Sequence, residues 1–114
     1  ALAQAAAPGK EIIFDLLPGM ASTAFTFTAK EGEAMSFYVF TPNKDVHWRL
    51  LGPSGNELFS TYFVYDQLDV PLLLAGNYTL LVEGDIFLGE QPLFGLSFAL
   101  EQAGPAGAGY DGVP

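Results

Sequence analysis

Short runs of alternating apolar and polar residues constrain the fold of this chain more than any other feature. Phe25 and Phe27 alternate with threonines, and Val46, Trp48 and Leu50 alternate with polar residues in the same way. A period of two places alternate side chains on one face of a β-strand. Gly, Pro and Asn separate the runs, and no stretch keeps a helical period. The pattern predicts an all-β protein, an antiparallel β-sandwich that is jelly-roll-like and has about eight strands.

The length and the composition of the ends predict one domain. The chain has 114 residues, which suffices for a single core. Residues 10–101 are predicted to form the sandwich, residues 1–9 a linker or expression remnant, and residues 102–114 a linker rich in Gly, Ala and Pro. Further strands are predicted at 11–17, 35–40, 57–65, 69–74, 78–83 and 94–100.

The composition excludes several functional classes. Only 4 Lys and Arg stand against 13 Asp and Glu, so the chain cannot neutralise the phosphates of a nucleic acid or of an anionic membrane. The absence of cysteine excludes disulfides, thiolate metal sites and thiol nucleophiles. The longest apolar stretch, 70–76, is far shorter than a membrane-spanning helix.

No set of residues in the sequence suits catalysis. His47 is the only histidine, and although Asp45 lies two residues away, no serine occupies a nucleophile elbow. We therefore interpret His47 as an exposed residue on the outer face of a sheet. Residues 107–112 match the glycine pattern of dinucleotide sites but lack the flanking strand and helix that such sites need. The chain is predicted not to be an enzyme.

Tyr38, Phe40 and Arg49 are candidate ligand-binding residues. They lie in the opposite phase to the predicted core residues, whereas Trp48 is in phase with the core. Two interpretations stay open, of which we favour the first. Other strands or a loop cover these rings, or the rings form an exposed patch suited to a glycan or a protein.

Acidic residues in two predicted loop regions suggest a calcium site. Asp66 and Asp69 flank one loop, and Glu83 and Asp85 lie in or beside another. Calcium prefers carboxylate and carbonyl oxygens, which neighbouring loops of a sandwich can supply. The alternative is that these residues are simply solvated, so the cofactor prediction is none, or calcium.

The order of the motifs resembles the bacterial pre-peptidase C-terminal domain family over roughly residues 22–101. The specific parts are the pattern L-x-G-P-S-G at 50–55 and the pattern L-A-G-N-Y-T-L-x-V at 74–82. The family often has an Asp-x-Asp strand before the turn and an Asp leading into it. Here Asp45 matches the first position, whereas His47 and Gly52 replace the other two. The resemblance therefore does not extend an acidic or metal-linked role to this strand.

The resemblance implies a jelly-roll-like, non-catalytic module attached to secreted proteases or to large surface proteins. The expected function is that of an accessory, spacer or binding module in a larger bacterial secreted or cell-surface protein. The alternatives are a carbohydrate-binding module and a calcium-stabilised adhesin repeat. The expected partners are neighbouring domains of the same chain and a glycan or protein ligand, without nucleic acid or a membrane span.

Overall fold

The chain folds into β-strands that form two sheets. A computed structural model describes residues 3–17, 22–84 and 92–105. Within these ranges nine strands and no helix are present. They are β1 (Gln4–Ala5), β2 (Glu11–Leu16), β3 (Ser22–Ala29), β4 (Glu33–Val39), β5 (Asn43–Leu51), β6 (Glu57–Phe63), β7 (Gln67–Leu72), β8 (Gly76–Gly84) and β9 (Leu93–Pro105). None of the described segments is a helix that could span a membrane.

The strand order is that of a jelly roll. One sheet has five strands in the order β1-β3-β8-β5-β6, and the other has four in the order β2-β9-β4-β7. Among the described strands, β5 and β6 are the only hydrogen-bonded neighbours that are also consecutive in sequence, and they form a hairpin. Moving outward from this hairpin along the chain in both directions, β4 pairs with β7, β3 with β8, and β2 with β9. The fold is therefore one long hairpin rolled into two layers. The predicted antiparallel β-sandwich is confirmed, with β1 added beside β3 in parallel.

The apex of the rolled hairpin is the turn between β5 and β6. The Gly52 N–H donates to the Asn56 carbonyl at 2.7 Å, and the Gly55 N–H donates to the Gly52 carbonyl at 2.9 Å. Gly55 has φ +85°, a left-handed conformation that glycine adopts without strain. The Ser54 hydroxyl donates to the Asn56 side chain at 2.8 Å, so the predicted turn is closed by its own residues.

This turn packs against the start of β8. Gly76 has φ +141°, and a Cβ added to it would lie 3.0 Å from Pro53. The Tyr78 side chain is buried, and its hydroxyl donates to the Leu74 carbonyl at 2.6 Å. The two motifs that carry the family resemblance are therefore in contact, because the apex turn packs against the β7–β8 connection.

An aromatic core lies between the two sheets. Trp48 makes edge contacts with Phe37, Phe63 and Phe98 at centroid separations of 5.0–6.3 Å. Phe14 joins the same cluster from β2. Edge-to-face pairs of this kind add attraction beyond the burial of their area. Core positions come from both sheets, as period-two alternation requires.

The sandwich extends beyond the predicted limits of 10–101 at both ends. Residues Gln4 and Ala5 pair with β3, and Ala6 is buried with its N–H donating to the Thr26 carbonyl at 2.8 Å. At the other end β9 continues to Pro105. Small residues in these segments suggested linkers, but alanine and glycine can pair in a sheet without filling the core.

Two predicted strands are displaced by bulges. Alternation within the predicted strand 94–100 places Phe94 in phase with the core residue Leu96, yet Phe94 is 68% exposed. The pairing shifts where Asp15 accepts the Gly95 N–H at 2.9 Å, so Leu93 packs inward instead. In β7, Asp69 has φ 51°, and its strand runs from Gln67 to Leu72 rather than over 69–74.

Candidate functional site

The outward surface of the five-stranded sheet, here called the polar face, carries every charged side chain of its ion-pair cluster together with polar residues, two leucines and one tyrosine. Its members on β5, β6 and β8 are His47, Arg49, Leu51, Ser60, Tyr62, Thr79, Leu81 and Glu83. These residues alternate with buried ones such as Trp48 and Leu80. Threonines and small residues of β3 complete this face.

Arg49 lies at the centre of the polar face between two carboxylates. Its Nη1 is 3.6 Å from Glu57 Oε2, and its Nε is 3.5 Å from Glu83 Oε1. The Nε atom is shielded from solvent without a hydrogen bond of good geometry, so the contact with Glu83 is ionic. All three side chains are more than a third exposed. Solvent screening leaves little net stabilisation in such pairs.

His47 stacks on Tyr62 beside this ion-pair cluster. The two rings are 4.5 Å apart between centroids, with an interplanar angle of 17°. Glu83 lies directly across from His47 on β8. No hydrogen bond or ion pair joins the His47 side chain to another described residue. The described structure thus gives His47 neither a nucleophile nor an orienting carboxylate, and its exposure agrees with the sequence interpretation.

The outward surface of the four-stranded sheet, here called the apolar face, carries large hydrophobic side chains. Ile13 on β2 is 66% exposed, and Phe40, directly after β4, is 52% exposed. Phe94 on β9 is exposed as well. Tyr38 lies one row away, paired with Ala99. Large apolar surface of this kind marks interaction sites on soluble proteins.

Ser97 shows that Ile13 and Phe40 form one continuous surface. Ile13 pairs with Ser97 across β2 and β9, and the Phe40 N–H donates to the Ser97 carbonyl at 3.0 Å. Ser97 points away from the core, because it alternates with Leu96 and Phe98, yet it is only 3% exposed. The side chains on either side of Ser97 therefore cover it, and the row presents apolar groups to solvent.

The structure does not bring the three predicted ligand-binding residues together. Tyr38 lies in β4 of the four-stranded sheet and Phe40 directly follows it, whereas Arg49 lies on β5 of the five-stranded sheet. All three point outward as predicted, but the sandwich layers separate Arg49 from the two rings. One small ligand therefore cannot contact all three. Periodicity predicts which way a side chain points from its strand, but it does not assign the strand to a sheet.

The sequence analysis missed two exposed residues, Ile13 and Tyr62. Ile13 lies out of phase with Phe14 and Leu16, so alternation within 11–16 was the available signal. It was hidden because the segment is an almost continuous apolar run. Tyr62 similarly lies out of phase with buried Phe63 in an aromatic-rich strand.

Two of the calcium candidates have protein partners for their carboxylates, and a third lies outside the described ranges. Asp66 Oδ1 accepts the Val39 N–H at 2.9 Å, and Glu83 pairs with Arg49. The Asp69 N–H donates to the Ser36 hydroxyl at 2.9 Å. Asp85 lies outside the described residues, as does the glycine pattern at 107–112. Among the described side chains no three acidic or histidine groups come close enough to share a metal, and the calcium site stays a prediction.

An open cleft of about 480 Å³ lies beside β1. It is lined by residues 5–8, residues 26–28 and Asn77. None of these lining residues is titratable, so the cleft offers no group for proton transfer.

Comparisons with known proteins identify the fold. No family model matches the sequence, and no curated protein matches it. One similar solved structure is the pre-peptidase C-terminal domain of collagenase from Bacillus anthracis. It has a TM-score of 0.65 at 15% identity, covering 88% of this chain and 95% of that one. The chain has the fold of a pre-peptidase C-terminal domain. The resemblance predicted from the sequence motifs is confirmed at the level of fold.

A second solved structure shows the same architecture in a different protein. PliG from Aeromonas hydrophila, a periplasmic inhibitor of g-type lysozyme, has a TM-score of 0.59 at 13% identity. The alignment covers 89% of this chain and 99% of PliG. The pre-peptidase C-terminal fold thus occurs in a domain of a collagenase and is similar to that of an inhibitor. Fold alone does not assign a function, which has to be argued from the surface.

Proposed function

We propose that the chain is a non-catalytic accessory or binding module of a larger secreted or cell-surface protein. The observation that carries the proposal is the fold shared with a collagenase's pre-peptidase C-terminal domain. One neighbour is a domain of a collagenase, and the other is a periplasmic inhibitor of g-type lysozyme. Both neighbours support a location outside the cytoplasm.

The described side chains support a role without chemistry of its own. The histidine is stacked on Tyr62, the arginine is paired with two glutamates, and most large aromatics lie in the core. Catalysis needs a nucleophile, a base and an orienting group within hydrogen-bond reach of one another. The described residues place no such set together.

Cell fractionation tests this proposal. An antibody raised against the folded domain is used to probe the cytoplasm, envelope and medium of the source cells, with a cytoplasmic enzyme as the marker of leakage. We expect the antigen in the envelope or the medium, within a polypeptide much larger than the 12.2 kDa of this chain. A 12.2 kDa band confined to the cytoplasm would contradict the proposal.

A further inference from the structure

The exposed apolar residues of the apolar face do not contribute their side chains to the core. Ile13 and Phe40 point away from the core, and the fold closes beneath them without their side chains. The corresponding positions of the polar face are occupied by residues such as Arg49 and Glu83. The same sandwich therefore tolerates polar residues at outward positions.

The charges on the four-stranded sheet are all of one sign. Its four strands contain no Lys or Arg. Glu11 and Asp15 flank Ile13 along β2, and Glu101 points outward from β9 opposite Ser36. All three carboxylate residues are exposed. The surface thus has an apolar centre, which includes Ile13 and Phe40, and an acidic edge.

This combination disfavours two of the surfaces that could cover it. A second copy would bring acidic edges together, and an anionic membrane would repel them. A protein with basic groups around an apolar centre would match both the apolar residues and the carboxylates.

We propose that the apolar face docks a protein surface that is apolar at its centre and basic at its edge. Burial of Ile13 and Phe40 supplies affinity, while Glu11, Asp15 and Glu101 orient the partner and accelerate encounter. The proposal rests on the proposed function, since it names the partner of a module without chemistry of its own.

Three synthetic peptides serve as probes. The first is an amphipathic helix with leucines on one side and lysines around them, which matches the inferred surface. In the second peptide serine replaces leucine, and in the third glutamate replaces lysine. Their binding to the intact chain is measured by fluorescence anisotropy at low and at physiological ionic strength, together with amide chemical-shift mapping on the wild-type protein.

We expect the leucine–lysine peptide to bind and the other two to bind much more weakly. The double variant Ile13→Ser, Phe40→Ser should weaken this binding about tenfold or more. The matched control, Tyr62→Ser, removes an aromatic residue 48% exposed on the polar face and should leave the affinity within about twofold. Salt should weaken binding, because the acidic edge contributes.

Several outcomes would overturn the proposal. Equal binding of the serine–lysine peptide would show attraction to net charge alone, and shifts that map to the polar face would place the site elsewhere. A glycan-array signal lost in the double variant would identify a carbohydrate ligand instead. If the variants unfold, the chemical-shift map of the wild-type chain still decides the location. None of these results affects cell fractionation, so this inference and the proposed function can fail separately.

Discussion

The two outer faces of the sandwich share one core but differ in chemistry. On the polar face Arg49 is balanced by Glu57 and Glu83, and Leu81 lies directly across from it on β8. On the apolar face Ile13 and Phe40 are exposed among carboxylates with no basic residue on the strands. The packing of the core determines which residue types occupy the inward positions. The residue types at the outward positions are not constrained by the core and can instead reflect interactions with other molecules.

Truncating a side chain of the core that the two sheets share should lower the free energy of unfolding more than any other substitution considered. Trp48 is fully buried and contacts aromatic rings from both sheets. Trp48→Ala should reduce the free energy of unfolding by about 3–5 kcal/mol, measured by urea denaturation. Tyr62→Ala, at a half-exposed aromatic of the polar face, is the control and should cost far less.

A milder variant separates packing from hydrogen bonding. Trp48 Nε1 is buried without a partner among the described residues. Trp48→Phe therefore loses volume but no hydrogen bond, and we expect a smaller loss than for Trp48→Ala. Equal losses in the two variants would contradict the packing account.

Calcium would link the edges of the two faces, because Asp66 and Asp69 belong to the four-stranded side and Glu83 to the polar face. If these residues and Asp85 bind calcium with the affinity typical of extracellular modules, about 1 mM calcium should raise the free energy of unfolding by about 1 kcal/mol. Thermal melts in calcium and in chelator measure the effect. An unchanged midpoint in both the wild type and Asp66→Asn would eliminate the site.

Removing Arg49, the cation at the centre of the polar face, should lower the free energy of unfolding slightly. Arg49→Met leaves Glu57 and Glu83 without their ion-pair partner and makes the net charge, -9 in the wild type, more negative. The expected loss is at most about 1 kcal/mol at low ionic strength, and it should shrink in salt because the groups are solvated. Urea denaturation at two salt concentrations measures it. A loss that grows in salt would refute this electrostatic explanation.

The apolar face should tolerate polar substitution with the smallest effect on stability. Phe40→Ser removes a ring that is half in water, so the free energy of unfolding should change by only about 0.5 kcal/mol. The same substitution should lower the binding of a dye that fluoresces on apolar surfaces. A large loss of stability would mean that Phe40 supports the core and would remove the contrast between the two faces.

Much of the fold could be predicted from alternation, because inward positions obey the packing of the core. Tyr78 and Trp48 are buried as their phase indicates. Phe94 was assigned wrongly because a bulge at Gly95 changes the phase, and no feature of the periodicity reports the extra residue. The segment before residue 10 was assigned to a linker because alanine-rich sequence carries little strand signal.

The candidate site could be predicted only in part. The outward direction of Phe40 follows from its phase, but its separation from Arg49 depends on sheet assignment, which is a property of the whole topology. Exposure of Ile13 follows from its phase opposite to Phe14 and Leu16, but the nearly continuous apolar run of this segment hid that signal. The calcium prediction depends partly on Asp85, outside the described residues.

The rolled arrangement of strands delays the assembly of the protein during synthesis. Strands β2 to β5 have their antiparallel partners among β6 to β9, so the first fifty or so residues cannot complete any of these pairs. Once the β5–β6 hairpin has formed, the strands on either side of it are already close together. Each further pair then requires little additional loop-closure entropy, because that entropy cost grows slowly with loop length. A chain emerging from the ribosome therefore cannot complete this antiparallel pairing until most of its strands are available.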